Sequence, residues 1–293
     1  MRIKILGDGA WGTAISNLLK KNSQEVSFLN KAACQSTINL EDVDVLILAI
    51  PTQTIREVLG RIQGLENKII VNCAKGIERN THKFPHEIVQ EVVGKKVNYF
   101  SLIGPSFAQE VNQQMPTLVN LGGSDGKIQT ICDLFETDYF RVRPTKSVEA
   151  LELSCALKNV YSIACGIADG LGFKINTRAK LITIAYEEFQ KLASKLKYHI
   201  DEDARPGILG DLVLTCSSTE SRNFRFGKDL TKYSIAESME KIHSTIEGYN
   251  TMFSIPYFSE KSAMPLAKFV LKVIKEDNPK NIGSEFAEFV KEI

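Results

Sequence analysis

Several short stretches of this chain combine residue types that folding alone has little use for. The first is Gly7-Asp8-Gly9-Ala10-Trp11-Gly12, set between a strand-like run at residues 2–6 and a helix-like run that follows. Each glycine in such a turn has its own task. Gly7 permits the tight turn, Gly9 lets backbone approach a pyrophosphate, and Gly12 lets the helix pack close to the sheet. The free N–H groups and the positive dipole end of the helix then face the anion. A glycine-rich turn alone is a common connector. With a strand before it and a helix after it, a dinucleotide site is the better reading.

Three further clusters carry groups suited to substrate chemistry. Residues 72–78, Asn-Cys-Ala-Lys-Gly-Ile-Glu, place Lys75 after a candidate strand, where a doubly wound sheet binds ligands. Lys75 is alternatively a solvated lysine before a turn glycine. Residues 104–110, Gly-Pro-Ser-Phe-Ala-Gln-Glu, place Gly104, Ser106 and Ala108 after another strand. The alternative there is a Gly-Pro turn followed by a Ser-capped helix. In the third cluster, the apolar helical stretch 152–160 carries Lys158 where the period prefers a buried face. That lysine either snorkels at a rim or sits in a pocket that lowers its pKa. Asp211 and Thr215 share a helix face downstream. Ser221-Arg222-Asn223 offers a hydroxyl, a guanidinium and an amide in succession, a combination suited to a phosphate monoester.

The elements that must position these groups follow from periodicity. Strands are predicted at residues 2–6, 25–29, 44–50, 68–72, 97–103, 117–121 and 139–142. Helices are predicted between them at 11–21, 52–62, 85–93 and 127–136. Several strands are continuous apolar runs, as expected when helices cover both faces of a sheet. The alternation predicts an α/β fold with a Rossmann-like, doubly wound, mostly parallel sheet. Beyond residue 142 only helical periods appear, at 147–166, 176–196, 209–218, 234–240, 245–254 and 263–275. The domains are therefore expected at 1–144, binding a dinucleotide, and at 145–293, all-α and binding the substrate.

Bulk properties exclude other classes. The 293 residues are 43% hydrophobic and 24% charged, which fits a globular core. A net charge of +1 gives no electrostatic drive toward nucleic acid or membranes. The longest apolar run, residues 45–50, is too short to span a bilayer, and residues 1–4 lead straight into a strand rather than a leader peptide. The cysteines at 34, 73, 132, 155, 165 and 216 show no CxxC pairing, so buried free thiols and a cytoplasmic setting are expected. His82, His86, His199 and His243 form no ligand cluster and read as surface or helix-cap residues, so no metal is expected.

Taken together, Gly-x-Gly-x-Trp-Gly-Thr-Ala, Cys-Ala-Lys-Gly-Ile-Glu, Gly-Pro-Ser-Phe-Ala-x-Glu, Ala-Leu-Lys-Asn-Val, Gly-Asp-Leu-x-Leu-Thr-Cys and Ser-Arg-Asn-x-Arg-Phe-Gly occur in that order. The set resembles that of the bacterial NAD(P)-dependent glycerol-3-phosphate dehydrogenases, from Gly7 to about Gly248. The resemblance implies reduction of dihydroxyacetone phosphate to sn-glycerol 3-phosphate, a source of phospholipid backbone. It implies that Gly7, Gly9, Ala10, Trp11, Gly12, Lys75, Ala108, Arg222 and Glu247 meet the cofactor. It implies that Lys75, Gly104, Ser106, Asp211, Ser221, Arg222 and Asn223 hold the substrate. Lys158 then serves as proton donor or acceptor, supported by Asp211 and by the positive potential of Lys75. The partner is a small molecule, without nucleic acid or membrane insertion, and a homodimer is compatible with it.

The sequence also departs from that pattern. The stretch between the second strand and Asp44 is short, Asp8 stands where a small apolar residue is usual, and Ser154-Cys155 replaces a frequent glycine pair. Residues 173–175 and 204–209 are atypical as well. No carboxylate lies at residues 28–31, where an NAD-specific site would carry one, and Lys31 falls where the pattern has arginine. NADPH is thus expected to serve at least as well as NADH. Two other readings stand beside this one: a non-catalytic NAD(P)-sensing homologue, and a hydroxy-acid dehydrogenase of the Rossmann-plus-helical-domain type.

Overall fold

The computed structural model describes residues 1–29, 37–123 and 126–293. Lys31 and Cys34 lie outside the described residues. The chain forms two compact units. Met1–Glu78, Lys83–Glu152 and His199–Ile208 make the first, and Arg79–His82, Leu153–Tyr198 and Leu209–Ile293 make the second. The division falls inside one long helix, beyond the expected boundary at 144/145, and residues 199–208 return to the first unit.

In the first unit, strands β1 (Arg2–Leu6), β2 (Glu25–Leu29), β4 (Val45–Leu48), β6 (Ile69–Asn72), β7 (Asn98–Ile103), β8 (Thr117–Gly123) and β9 (Phe140–Thr145) form one sheet. Its order is β2-β1-β4-β6-β7-β8-β9. All pairs are parallel except β7 with β8. Two short strands, β3 (Ile38–Asn39) and β5 (Ile62–Gln63), pair separately.

The sheet is doubly wound because its strands are apolar on both faces. Ile3, Ile5, Val45, Ile47, Ile69 and Val71 pack on one side, with residues of α1 (Ala10–Lys21) and α5 (Ile128–Phe135). Their neighbours Leu6, Leu46, Leu48 and Ile70 pack on the other, with α2 (Thr52–Leu59) and α3 (Pro85–Val92). Period-two alternation of side chains assigns each set to its face. The chain steps from β1 out to β2 and then back past β1 to β4. The switch point therefore lies at the carboxyl ends of β1 and β4, where such sheets bind ligands.

The second unit is helical, built from the distal part of α6 (Val148–Gly170), α7 (Ile175–Lys195), α8 (Asp211–Ser217), α9 (Arg222–Leu230), α10 (Ile235–Ile242), α11 (Glu247–Met252), α12 (Ile255–Ser259), α13 (Pro265–Glu276) and α14 (Pro279–Glu292). Helices α9, α12 and α14 have no counterpart in the predicted elements. A fourth unpredicted helix, α4 (Ala108–Asn112), follows β7 in the first unit. Helices α6 and α9 meet backbone to backbone. A methyl group on Gly227 would lie 2.0 Å from the Ile163 carbonyl oxygen, and one on Gly166 2.0 Å from that of Phe224. Among the described residues no helix is long and apolar enough to cross a membrane.

The five described cysteines are buried and, among the described residues, in no disulfide, as expected. His86 departs from the surface reading. Its ring Nδ1 lies 2.7 Å from the Glu152 carboxylate, which is fully buried and also accepts from Tyr99 and Ser101. A buried carboxylate needs such partners, and the imidazole supplies one. His243 is a helix cap, holding the C-cap of α10 at φ 50°.

Candidate active site

The glycine turn sits at the switch point. Gly7 follows β1 with φ 103°, a conformation that L side chains rarely adopt. A methyl group on Gly12 would lie 2.0 Å from the Gly7 carbonyl oxygen, so the helix touches the turn itself. Gly9 is different. It is the N-cap of α1, and a Cβ there would meet no atom within 4 Å. No side chain caps α1 and no acid lies in its first turn, so its leading N–H groups remain available to an anion. Open space and available donors fit a dinucleotide pyrophosphate. Ala10 and Trp11 open the helix. The indole N–H of Trp11 lacks an ordinary hydrogen-bond partner among the described residues and lies against the Cys73 thiol. Burial pushes that thiol up to about 12, which keeps it neutral.

At the neighbouring strand ends, Lys75 and Ser106 converge on one carbonyl. Lys75 Nζ donates to the Gly104 oxygen at 3.0 Å, and Ser106 Oγ donates to the same oxygen at 3.1 Å. The loop that carries Lys75 is set by Asn72, whose side chain accepts from Ala74 N at 2.9 Å and donates to Ala74 O at 3.1 Å. Ser106 is therefore not a helix cap. Helix α4 begins at Ala108 with Phe107 at its N-cap, and Ala108 is half-buried.

In the second unit, Lys158 is 4% exposed and Asp211 1% exposed, and Lys158 Nζ lies 2.6 Å from Asp211 Oδ1. The lysine does not snorkel at a rim. It also donates to Thr215 Oγ1 at 2.9 Å, and that hydroxyl donates to the Asp211 carbonyl oxygen at 2.6 Å. Burial disfavours the ammonium while the carboxylate favours it, so the pair stands by mutual compensation. A π-helical turn, Pro206–Gly210, leads directly into Asp211. Such turns often mark functional positions.

Ser221, Arg222 and Asn223 open α9 but face different ways. Ser221 caps the helix by accepting from Phe224 N and lies 3.1 Å from Ser162 Oγ. Asn223 is buried, donating to Asn159 Oδ1 at 2.9 Å and accepting from Gly248 N at 2.9 Å. Arg222 is exposed, with Nη1 3.3 Å from Ser244 Oγ. Glu247, half-buried, precedes the glycine that Asn223 holds. Sequence reasoning gave Asn159 and Ser162 no role. Both are buried polar residues on an otherwise apolar helix, and that pattern was the available signal.

A doubly wound sheet with an anion-ready turn at its switch point is the architecture of nucleotide-dependent oxidoreductases, and the chain is one of that class. Similarity narrows the class. Residues 31–128 match the NAD-dependent glycerol-3-phosphate dehydrogenase N-terminus, and residues 147–283 match the corresponding C-terminus. The chain is 33% identical to the glycerol-3-phosphate dehydrogenase [NAD(P)+] of Thermotoga sp. (strain RQ2), over 95% of this chain and 94% of that one. It is 31% identical to the enzyme of that name from Staphylococcus haemolyticus, with 95% of each covered. The crystal structure of glycerol-3-phosphate dehydrogenase from Coxiella burnetii superposes with a TM-score of 0.86 at 27% identity, covering 98% of both chains. The chain belongs to the NAD-dependent glycerol-3-phosphate dehydrogenase family.

Proposed function

We propose that the chain reduces dihydroxyacetone phosphate to sn-glycerol 3-phosphate with NAD(P)H, using Lys158 as the proton-bearing group. The bound nicotinamide supplies the hydride. The reduced carbonyl then carries an alkoxide that needs a proton, and a positioned lysine can give it. The observation that carries the reading is the Lys158–Asp211 pair at 2.6 Å, buried and tied to Thr215. Asp211 holds the ammonium in place. Lys75 adds positive potential at the oxygen. Gly104 and Ser106 position the substrate, as do Ser221, Arg222 and Asn223, with the Arg222 guanidinium suited to the phosphate. Gly7, Gly9, Ala10, Trp11 and Gly12 hold the dinucleotide, and Ala108, Arg222 and Glu247 contribute to its enclosure. The buried free thiols suit the reducing cytoplasm.

The test is turnover. Oxidation of NADPH and NADH, followed by absorbance, should require dihydroxyacetone phosphate, and unphosphorylated hydroxy-acid or keto-acid substrates should give little. Failure of dihydroxyacetone phosphate to support oxidation of either cofactor would refute the reading. NADPH is proposed to serve at least as well as NADH, on the absence of a carboxylate at residues 28–31 and the presence of Lys31. Lys31→Ala should then weaken NADPH selectively, by a margin that shrinks as salt rises. A strong preference for NADH that Lys31→Ala leaves unchanged would overturn this.

A further inference from the structure

The turn that receives an anionic ligand carries an anion of its own. Asp8 lies between Gly7, fixed at φ 103°, and Gly9, the N-cap of α1. A carboxylate at a helix start ordinarily caps it, satisfying N–H groups and the dipole. This one does not, since α1 has no side-chain cap. Asp8 is exposed, and among the described residues no cation pairs with it. The tie that holds the residue runs through its backbone, where Thr13 Oγ1 donates to the Asp8 carbonyl oxygen at 3.3 Å. Among the described residues its charge is therefore uncompensated, one residue from the open space beside Gly9.

We propose that Asp8 is an affinity-setting residue of the cofactor site: its carboxylate repels the dinucleotide pyrophosphate, weakens binding and hastens release. This rests on the reading that the glycine turn holds a pyrophosphate. Attraction from the α1 N–H groups still exceeds the repulsion, so binding is moderated and not abolished. Interactions between charges at a wet surface are modest and screened by salt. The effect should therefore be a single order of magnitude or less. It should be indifferent to the nicotinamide and to the 2′-position, because the pyrophosphate is common to both cofactors.

The chain provides its own reporter, because Trp11 is its single tryptophan and opens the same helix. Trp11 fluorescence is titrated with NADH, with NADPH and with phosphate-free adenosine, in wild type, Asp8→Asn and Asp8→Glu, at low and high salt. No turnover is needed. At low ionic strength, Asp8→Asn should bind both dinucleotides roughly three- to ten-fold more tightly, with a slower off-rate in stopped flow. The gain should fade toward 1 M salt, where the screening length is about 3 Å. Asp8→Glu should behave as wild type, and adenosine should gain nothing. Equal affinities at low salt would overturn the proposal, as would a gain that survives high salt. Weaker binding by Asp8→Asn would overturn it too, by showing that the carboxylate helps. If wild type binds neither dinucleotide, this inference and the proposed function fall together; binding without an Asp8 effect removes only the inference.

Discussion

At the scale of single residues, the glycines of the first turn differ in what a methyl group would meet. At Gly9 it meets nothing within 4 Å, and at Gly12 it meets the Gly7 carbonyl oxygen at 2.0 Å. Gly9→Ala should therefore leave the melting temperature of the ligand-free protein nearly unchanged while costing dinucleotide affinity ten-fold or more. Gly12→Ala should destabilise by roughly 1–3 kcal/mol, because backbone must move. Melting curves with and without NADPH separate the two outcomes. Lys158→Met should lower kcat by roughly 10²–10⁴ while Trp11 still reports cofactor binding. It should also destabilise by about 3–5 kcal/mol, since the buried Asp211 carboxylate loses its ammonium partner. Adding Asp211→Asn should restore much of the stability and none of the activity. Retention of more than half of kcat by the single variant would remove Lys158 from the chemistry. Arg222→Lys should cost dihydroxyacetone phosphate far more than unphosphorylated dihydroxyacetone, because an ammonium lacks the two-pronged grip of a guanidinium. Equal losses would remove the phosphate contact.

At the scale of elements, two buried acids tie helices, and stability from both sites falls as pH rises. Glu188 on α7 accepts from Leu266 N and Ala267 N at the start of α13 and is 2% exposed. Burial raises its pKa to about 7, and those backbone donors only partly offset it. The folded protein thus holds a proton that the unfolded chain, with an ordinary value of 4.5, releases. Stability from this group is present at acid pH and falls as pH rises through that window. Glu188→Gln should accordingly stabilise relative to wild type at pH 8, by on the order of 2–3 kcal/mol, and change little at pH 4.5. His86 on α3 shares that sign by a different cause. Burial alone would lower its pKa, but the Glu152 carboxylate outweighs burial and raises it above 6.5. Its contribution is full below 6.5 and is lost as pH rises through the raised value. The melting-temperature gap between wild type and His86→Asn should therefore be wide at pH 5.5 and narrow at pH 9.

At the scale of the whole molecule, the first unit is completed by chain that arrives late. Asn120 in β8 is fully buried, donates to the carbonyl oxygens of Arg143 and Asp203, and accepts from Gly207 N. Asp201 accepts from Thr145 Oγ1 at 2.6 Å and from Lys146 N at 3.1 Å. A fragment of residues 1–144 keeps the Arg143 carbonyl but lacks Asp203, Gly207, Thr145 and Asp201, leaving the buried Asn120 amide partly unsatisfied beside an uncovered sheet edge. Such a fragment should show no cooperative melt by circular dichroism, and NADPH should not rescue it, whereas the full chain should melt cooperatively. A cooperative fragment would mean that the returning segment is dispensable.

Much of this was legible in the sequence because it is local. Steric preference fixes a glycine at φ 103° in Gly7, and continuous apolar runs fix β4 and β6 as strands covered on both faces. The fold class and the cofactor turn follow from such short-range rules. Other features depended on neighbours far along the chain. Sequence left Lys158 either at a rim or in a pocket, left Ser106 either as a ligand group or as a helix cap, put His86 on the surface or at a helix cap, and missed Asn159 and Ser162. Burial next to distant partners decided each of these. The free energy of a polar group out of water is set by the groups that fold against it, and sequence spacing does not specify those. The sequence by itself determined the sheet and its anion-binding turn. The tertiary structure alone determined which buried charges and hydroxyls compensate one another.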